Sequence, residues 1–158
     1  FARKLAAIRQ DWTLVLAGDG PLRQTMEAEA AVLGDRVRFL GNQPATVVAD
    51  LFRLCRFVVA THGGVTLVEA ATAAKPTLAY AYDWMPEFIT DGETGGLVDV
   101  RDVDALVAKA AEWLDDAGLV DRLGEAAYQL TQREYGREQA IANERAVYES
   151  LAHTASRV

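Results

Sequence analysis

The sequence predicts an α/β fold: a doubly wound parallel sheet with helices closing its carboxyl-terminal third. Three observations predict it. Short β-rich runs alternate with longer amphipathic segments along the chain. Glycines cluster directly after the β-rich runs, as Gly18-Asp19-Gly20, Gly41 and Gly63-Gly64. The chain has 158 residues, 51% hydrophobic and 25% charged, the make-up of one packed domain, 1–158. Alternation of this kind implies parallel strands joined by right-handed crossovers, with helices on both faces. Such sheets take ligands just beyond the carboxyl ends of their strands, where these glycines fall.

Taken in order, FARKLAAIRQ reads as a helix and WTLVLAG as a buried strand. PLRQTMEAEAAVLG reads as a helix, with Pro21 in its first turn and Gly34 at its end. RVRFLG is a strand, ATVVADLFRLC a helix, FVVAT a strand, TLVEAATAA a helix and LAYAY a strand. A short helical turn is expected around PEFI, and LVDV is the last strand. TDGETGG between them reads as a surface loop in which Asp91, Gly92 and Gly95 form turns. Helices in DVDALVAKAAEWLDD, GLVDRLGEAAYQL and REQAIANERAVYESL close the chain.

Composition excludes several function classes. With one cysteine the chain holds neither a disulfide framework nor a thiolate metal cluster, and Cys55 reads as a small buried hydrophobe. His62 and His153 are the only histidines, so a His-rich metal site is excluded, and no metal or other cofactor is expected. A net charge of −7 argues against a general nucleic-acid surface. No segment has the length of an uninterrupted membrane span, and the amino terminus lacks the apolar core of a secretory signal. A reducing, cytoplasmic setting fits. The chain does not open on Met, and a piece of a longer protein is expected.

The stretch THGGVTLVE, residues 61–69, sets two glycines and a histidine between a strand and a helix. Bare backbone there lets a ligand reach the first amides of the helix, which carry unpaired donors and partial positive charge, a place for a phosphate. A tight turn without a ligand is the alternative.

The order of motifs resembles the carboxyl-terminal, donor-binding domain of retaining nucleotide-sugar glycosyltransferases of family 4, built from two facing Rossmann-like domains. The residues that carry the resemblance are LVLAGDGPLR, VRFLG, LVEAATAAKPTLA, MPEFITDGETGGLV and AVYESL, in that order from Phe1 to about Leu151. It implies transfer of a hexose from a nucleoside-diphosphate sugar, without a bound metal. It also implies that Glu69 accepts hydrogen bonds from the donor ribose; Glu69 also fits a capping box with Thr66. The family's first glutamate falls on Thr61, a departure, since threonine supplies no charge. His62-Gly63-Gly64 resembles the turn of another glycosyltransferase group that meets the diphosphate of uridine-diphosphate sugars. It makes those residues the expected anion cradle, with a plain loop residue the alternative for His62, and Val65 joins them among the donor-binding candidates. Thr61, His62 and Glu69 are therefore the candidates nearest the chemistry. Gly18 and Gly20 would let backbone approach the donor, Asn42 sits where the nucleobase is held, and Glu87 matches a glutamate facing the donor; a solvated residue at a helix start is the alternative for Glu87. Lys75 falls far from the ligand end. Arg23 is a further candidate cation near the site, as are Arg53 and Arg56, for which solvated helix surface is the favoured alternative.

The resemblance further implies that the domain's first strand, at the middle of the sheet, lies outside this chain, with the two cations that neutralise the diphosphate and the amino-terminal acceptor domain. The chain alone is then expected to transfer little. A catalytically silent sugar-nucleotide module and a sugar-nucleotide epimerase of related fold are the alternatives.

Overall fold

The computed structural model describes residues 1–155, with side-chain surroundings described for residues 1–149. Its elements run α1 (Ala2–Ile8), β1 (Leu14–Ala17), α2 (Arg23–Ala30), a 3-10 segment (Ala31–Arg36), β2 (Val37–Gly41), α3 (Ala45–Leu54), β3 (Val58–Ala60) and α4 (Val65–Thr72). Then come β4 (Thr77–Tyr80), α5 (Met85–Phe88), β5 (Gly95–Val98), α6 (Val103–Asp115), α7 (Ala117–Glu134) and α8 (Arg137–Ala155).

All strand pairings are parallel, but the strands form two sheets: β1 with β2, and β3, β4 and β5 in that order. The single sheet expected from the alternation is therefore interrupted between β1 and β3. A cleft of about 580 Å³ lies there, with Leu14 and Val15 on one wall, Val58 on the other, and Leu51 and Phe52 of α3 among its lining. Cys55 also lines it and is half-buried rather than buried, its thiol pushed up by desolvation. Exposure of Val15 and Ala17 follows from the same gap.

Side chains alternate between the faces of the strands, as their period of two requires. Ala60, Ala79 and Leu97 pack with Leu67 and Ala71 of α4 and Phe88 of α5. Val59, Leu78, Tyr80 and Val98 point the other way, against Leu106, Ala110 and Trp113 of α6. Leu14 and Val37 continue that second layer under α1 and α6, with Leu5, Trp12 and Val107. Helices thus cover both faces of the three-stranded sheet.

Two expected elements are displaced. β5 begins at Gly95, two residues before LVDV, so Gly95 is a buried strand residue and not a turn former. A Cβ on Gly95 would stand 2.6 Å from the Thr77 carbonyl oxygen, and one on Gly96 would stand 2.8 Å from Leu78 Cδ1 and 3.0 Å from the Trp113 ring. The glycines let β4 and α6 close in. The helix expected to end at Gly34 turns 3-10 from Ala31, with Gly34 at φ 53°; α2 itself starts at Arg23, and Pro21 lies in the preceding turn.

Helix ends follow local chemistry. Asp102 and Asp116 cap α6 and α7 by accepting from the amides of Ala105 and Leu119, each at 2.8 Å. α4 ends in a Schellman motif: the Lys75 amide donates to the Ala70 carbonyl and the Ala74 amide to that of Ala71, with Ala74 left-handed at φ 54°. Arg9, itself mostly buried, ties the end of α1 to the end of α6 through Asp115, at 2.5 Å, and the Ala111 carbonyl, while also pairing with Asp11.

Candidate functional site

Two groups of the expected residues gather at carboxyl ends of strands, one on each sheet. At the first, the Gly18 amide donates to the Gly41 carbonyl at 2.7 Å, joining the ends of β1 and β2. Gly18 takes φ 126°, Gly41 takes φ 65°, and both Gly18 and Gly20 have open space where a side chain would be. Asn42 follows β2 and is exposed. Arg23 lies over this junction: a Cβ on Gly41 would stand 2.6 Å from its guanidinium. It is already engaged, to Glu27 at 2.8 Å and Asp19 at 3.2 Å, and those partners raise its pKa.

The second group follows β3. Thr61 and His62 are exposed, Gly63 and Gly64 half-buried, and α4 starts at Val65 with Gly64 as its N-cap residue. No side chain caps this end. The Leu67 amide bonds the Gly64 carbonyl at 3.2 Å, while the Val65 and Thr66 amides have no backbone partner among the described residues. They are the unpaired donors that a helix start presents to an anion. Gly64 has nothing within 4 Å of a built Cβ, so the approach to them is open.

Glu69 is exposed, one turn along from Val65 on the outer stripe of α4, opposite the buried Leu67, Ala70 and Ala71. The capping box with Thr66 is not formed, because the helix starts before Thr66 and leaves it inside the first turn. No hydrogen bond or ion pair engages the Glu69 carboxylate among the described residues. It stands ready to accept two donors.

The β4–α5 loop closes on this group. The ring of Tyr82 lies 5.9 Å from that of His62, tilted by 31°. The indole of Trp84 sits on Gly63, its Nε1 2.9 Å from where a Cβ would be. Glu87 is exposed in the first turn of α5. Tyr82 and Trp84 were not legible as site residues, because LAYAY reads as strand through Tyr82, whereas β4 ends at Tyr80, and DWMPEF reads as a helix start. The available signal was two large aromatics within four residues of a strand's carboxyl end.

Other residues named from the sequence lie away from these two groups, Lys75 as expected. Lys75 precedes β4 and so lies at the opposite end of the sheet. Arg53 pairs with Asp50 on α3, and Arg56, preceding β3, donates to the Leu114 carbonyl. Neither reaches the glycine loops. Asp91 serves the fold, accepting from the Leu97 amide and Lys109 Nζ, both at 2.8 Å. Burial opposes its ionisation, yet these donors hold its pKa below the usual value. The apolar cleft between β1 and β3 is no seat for a diphosphate, since it offers aliphatic and aromatic walls to an ion that would lose its hydration. No group of three or more His, Cys, Asp or Glu residues able to hold a metal occurs among the described residues, and no helix there is long and apolar enough to cross a membrane.

The chain is 30% identical to the lipopolysaccharide core biosynthesis mannosyltransferase LpsB of Rhizobium meliloti, covering 93% of this chain and 45% of that protein. It is 28% identical to the N-acetyl-alpha-D-glucosaminyl L-malate synthase of Bacillus anthracis, covering 87% and 37%. The chain thus spans less than half of these relatives. Among solved structures, the C-terminal domain of a group 1 glycosyl transferase (LpcC) from Francisella tularensis superposes with a TM-score of 0.77 at 23% identity, covering 86% of this chain and 76% of that one. Anabaena HepE in complex with UDP gives 0.79 at 21%, covering 96% and 43%. At such identities the likeness establishes the fold alone. Residues 1–130 match the family described as "Glycosyl transferases group 1", and the chain belongs to that family.

Proposed function

We propose that this chain is the donor-binding half of a retaining hexosyltransferase of the family 4 type, acting with an acceptor domain outside these residues. The observation that carries this reading is the bare turn before α4. Unpaired amides of Val65 and Thr66 face an open Gly64, and one turn along the same helix Glu69 holds a carboxylate with no partner. A nucleoside diphosphate matches both: its phosphates take the amides and its ribose hydroxyls donate to Glu69. That HepE was solved with UDP, on this fold, supports the same reading.

In this reading the Gly63, Gly64 and Val65 amides and His62 disperse charge on the leaving diphosphate, an electrostatic role that needs few side chains and no metal. Gly18, Gly20 and Asn42 border the nucleobase from the other sheet. Thr61 and Glu87 face the sugar, and Thr61 positions it without contributing charge. A cytoplasmic location, with any membrane contact made through the acceptor domain, accompanies the reading.

Calorimetric titration with uridine, guanosine and adenosine diphosphates tests it. One of the three binds, and Glu69→Ala weakens that binding by about 1–3 kcal/mol, the cost of losing charge-assisted hydrogen bonds. Binding that ignores the substitution would remove Glu69 from the site.

A silent sugar-nucleotide module is the second reading. Thr61 favours it, as does Arg23, which is spent on Glu27 and Asp19 and leaves no free cation beside the glycines of β1 and β2 among the described residues. Transfer assayed in a protein that includes the acceptor domain separates the two, because a silent module stays inactive there.

A further inference from the structure

The two glycines of the turn face different neighbours. Gly64 is open, whereas Gly63 is covered by the Trp84 indole, whose Nε1, Cε2 and Cδ1 would lie 2.9, 3.4 and 3.5 Å from a Cβ there. Gly63 has room for a side chain only if the indole is absent, whereas Gly64 has it already. Gly63 takes no left-handed φ, so its bareness answers to space and not to backbone conformation. The indole cannot easily yield. It stands edge-on to Phe88 at 5.7 Å, and Phe88 is buried and packed at 5.1 Å on Tyr135 at the end of α7.

We infer that Trp84 is a positioning residue for donor binding: its indole, braced by Phe88, holds the Gly63 backbone so that the Gly64 and Val65 amides point at the diphosphate. This rests on the function proposed above. The device links the β4–α5 loop to the β3–α4 loop through one ring-on-backbone contact, with the His62–Tyr82 ring pair as a second link between the same loops. Precise seating matters because amide donors lose strength steeply when misaligned. The indole N–H has no hydrogen-bond partner among the described residues, so the contact is one of shape.

Trp84 also gives the loop its own reporter. Trp12 and Trp113, the other two tryptophans, are 9% and 3% exposed and sit in the layer under α1 and α6. Only Trp84 lies beside the glycine turn.

A size-exchange experiment tests the inference. On the protein, calorimetry with uridine, guanosine and adenosine diphosphates is paired with tryptophan emission and thermal melting. Gly63→Ala is expected to weaken the diphosphate that binds by about tenfold, because its methyl group collides with the ring. Trp84→Leu alone is expected to weaken it by about as much, because the Gly63 backbone loses its brace, and adding Gly63→Ala to Trp84→Leu is expected to cost little more, because the methyl group then has room. Saturating diphosphate is expected to shift the emission of the natural protein and to leave that of Trp84→Phe unmoved. If Trp84→Leu melts and binds like the natural protein, the indole positions nothing and the inference is overturned. Emission unmoved in the natural protein while calorimetry shows saturation overturns it too, and it needs no variant that folds. Absence of heat with all three diphosphates overturns the proposed function together with this inference, so the two failures are told apart.

Discussion

Glu69 and Asp91 are both carboxylates in or beside loops, and their surroundings give them opposite tasks. Glu69 has no partner and is available to a ligand; Asp91 accepts from Lys109 and the Leu97 amide, pinning the loop before β5 to α6. A pKa lowered in the folded state means stability that is present above the ordinary carboxylate range and is lost as pH falls through the lowered value. Asp91→Asn is therefore expected to destabilise the protein by about 1 kcal/mol at neutral pH, a modest figure because the side chain is half exposed to solvent. In denaturant melts across pH, the gap between variant and natural protein should close toward acid. Sequence alone assigned Asp91 correctly to the turn but gave no sign of Lys109, eighteen positions away.

Packing of whole elements is decided where backbones touch. At the end of α4, Ala74 occupies the left-handed position that glycine fills at no steric cost. Ala74→Gly is expected to raise stability by about 1 kcal/mol in denaturant melts, by releasing that conformation. Next to it, α7 presses Gly124 against the same corner: a Cβ would stand 2.1 Å from the Ala74 carbonyl oxygen. Gly124→Ala is expected to cost about 1–3 kcal/mol by forcing α7 off α4, seen as a lower melting temperature. Gly124 in the middle of a helix reads as a weak point in sequence; the packing supplies its reason.

Across the whole molecule, the interruption between β1 and β3 divides strands that are fully paired from those that are not. β4 has partners on both sides, whereas β1 and β3 each leave one edge unpaired beside the cleft. Hydrogen exchange should therefore be slowest at Leu78 and Ala79 and faster in β1, whose strand pairs only with β2 and lies partly exposed. Equal protection in β1 and β4 would mean that the two sheets join in solution. The same division puts Gly18, Gly20 and Asn42 on one sheet and Thr61 to Glu69 on the other, so a ligand that touches both groups bridges the cleft's mouth.

Alternating apolar runs and glycines placed after strands were readable along the chain, because period and turn chemistry depend on neighbours a few residues apart. They determined the α/β class and the order of elements to within a few residues. Contacts between distant segments were decided only by the tertiary structure: the seat of Trp84 on Gly63, the double pairing that occupies Arg23, the unformed cap at Glu69 and the gap between β1 and β3. Each depends on which loops the crossovers bring side by side, and one-dimensional spacing carries no record of that.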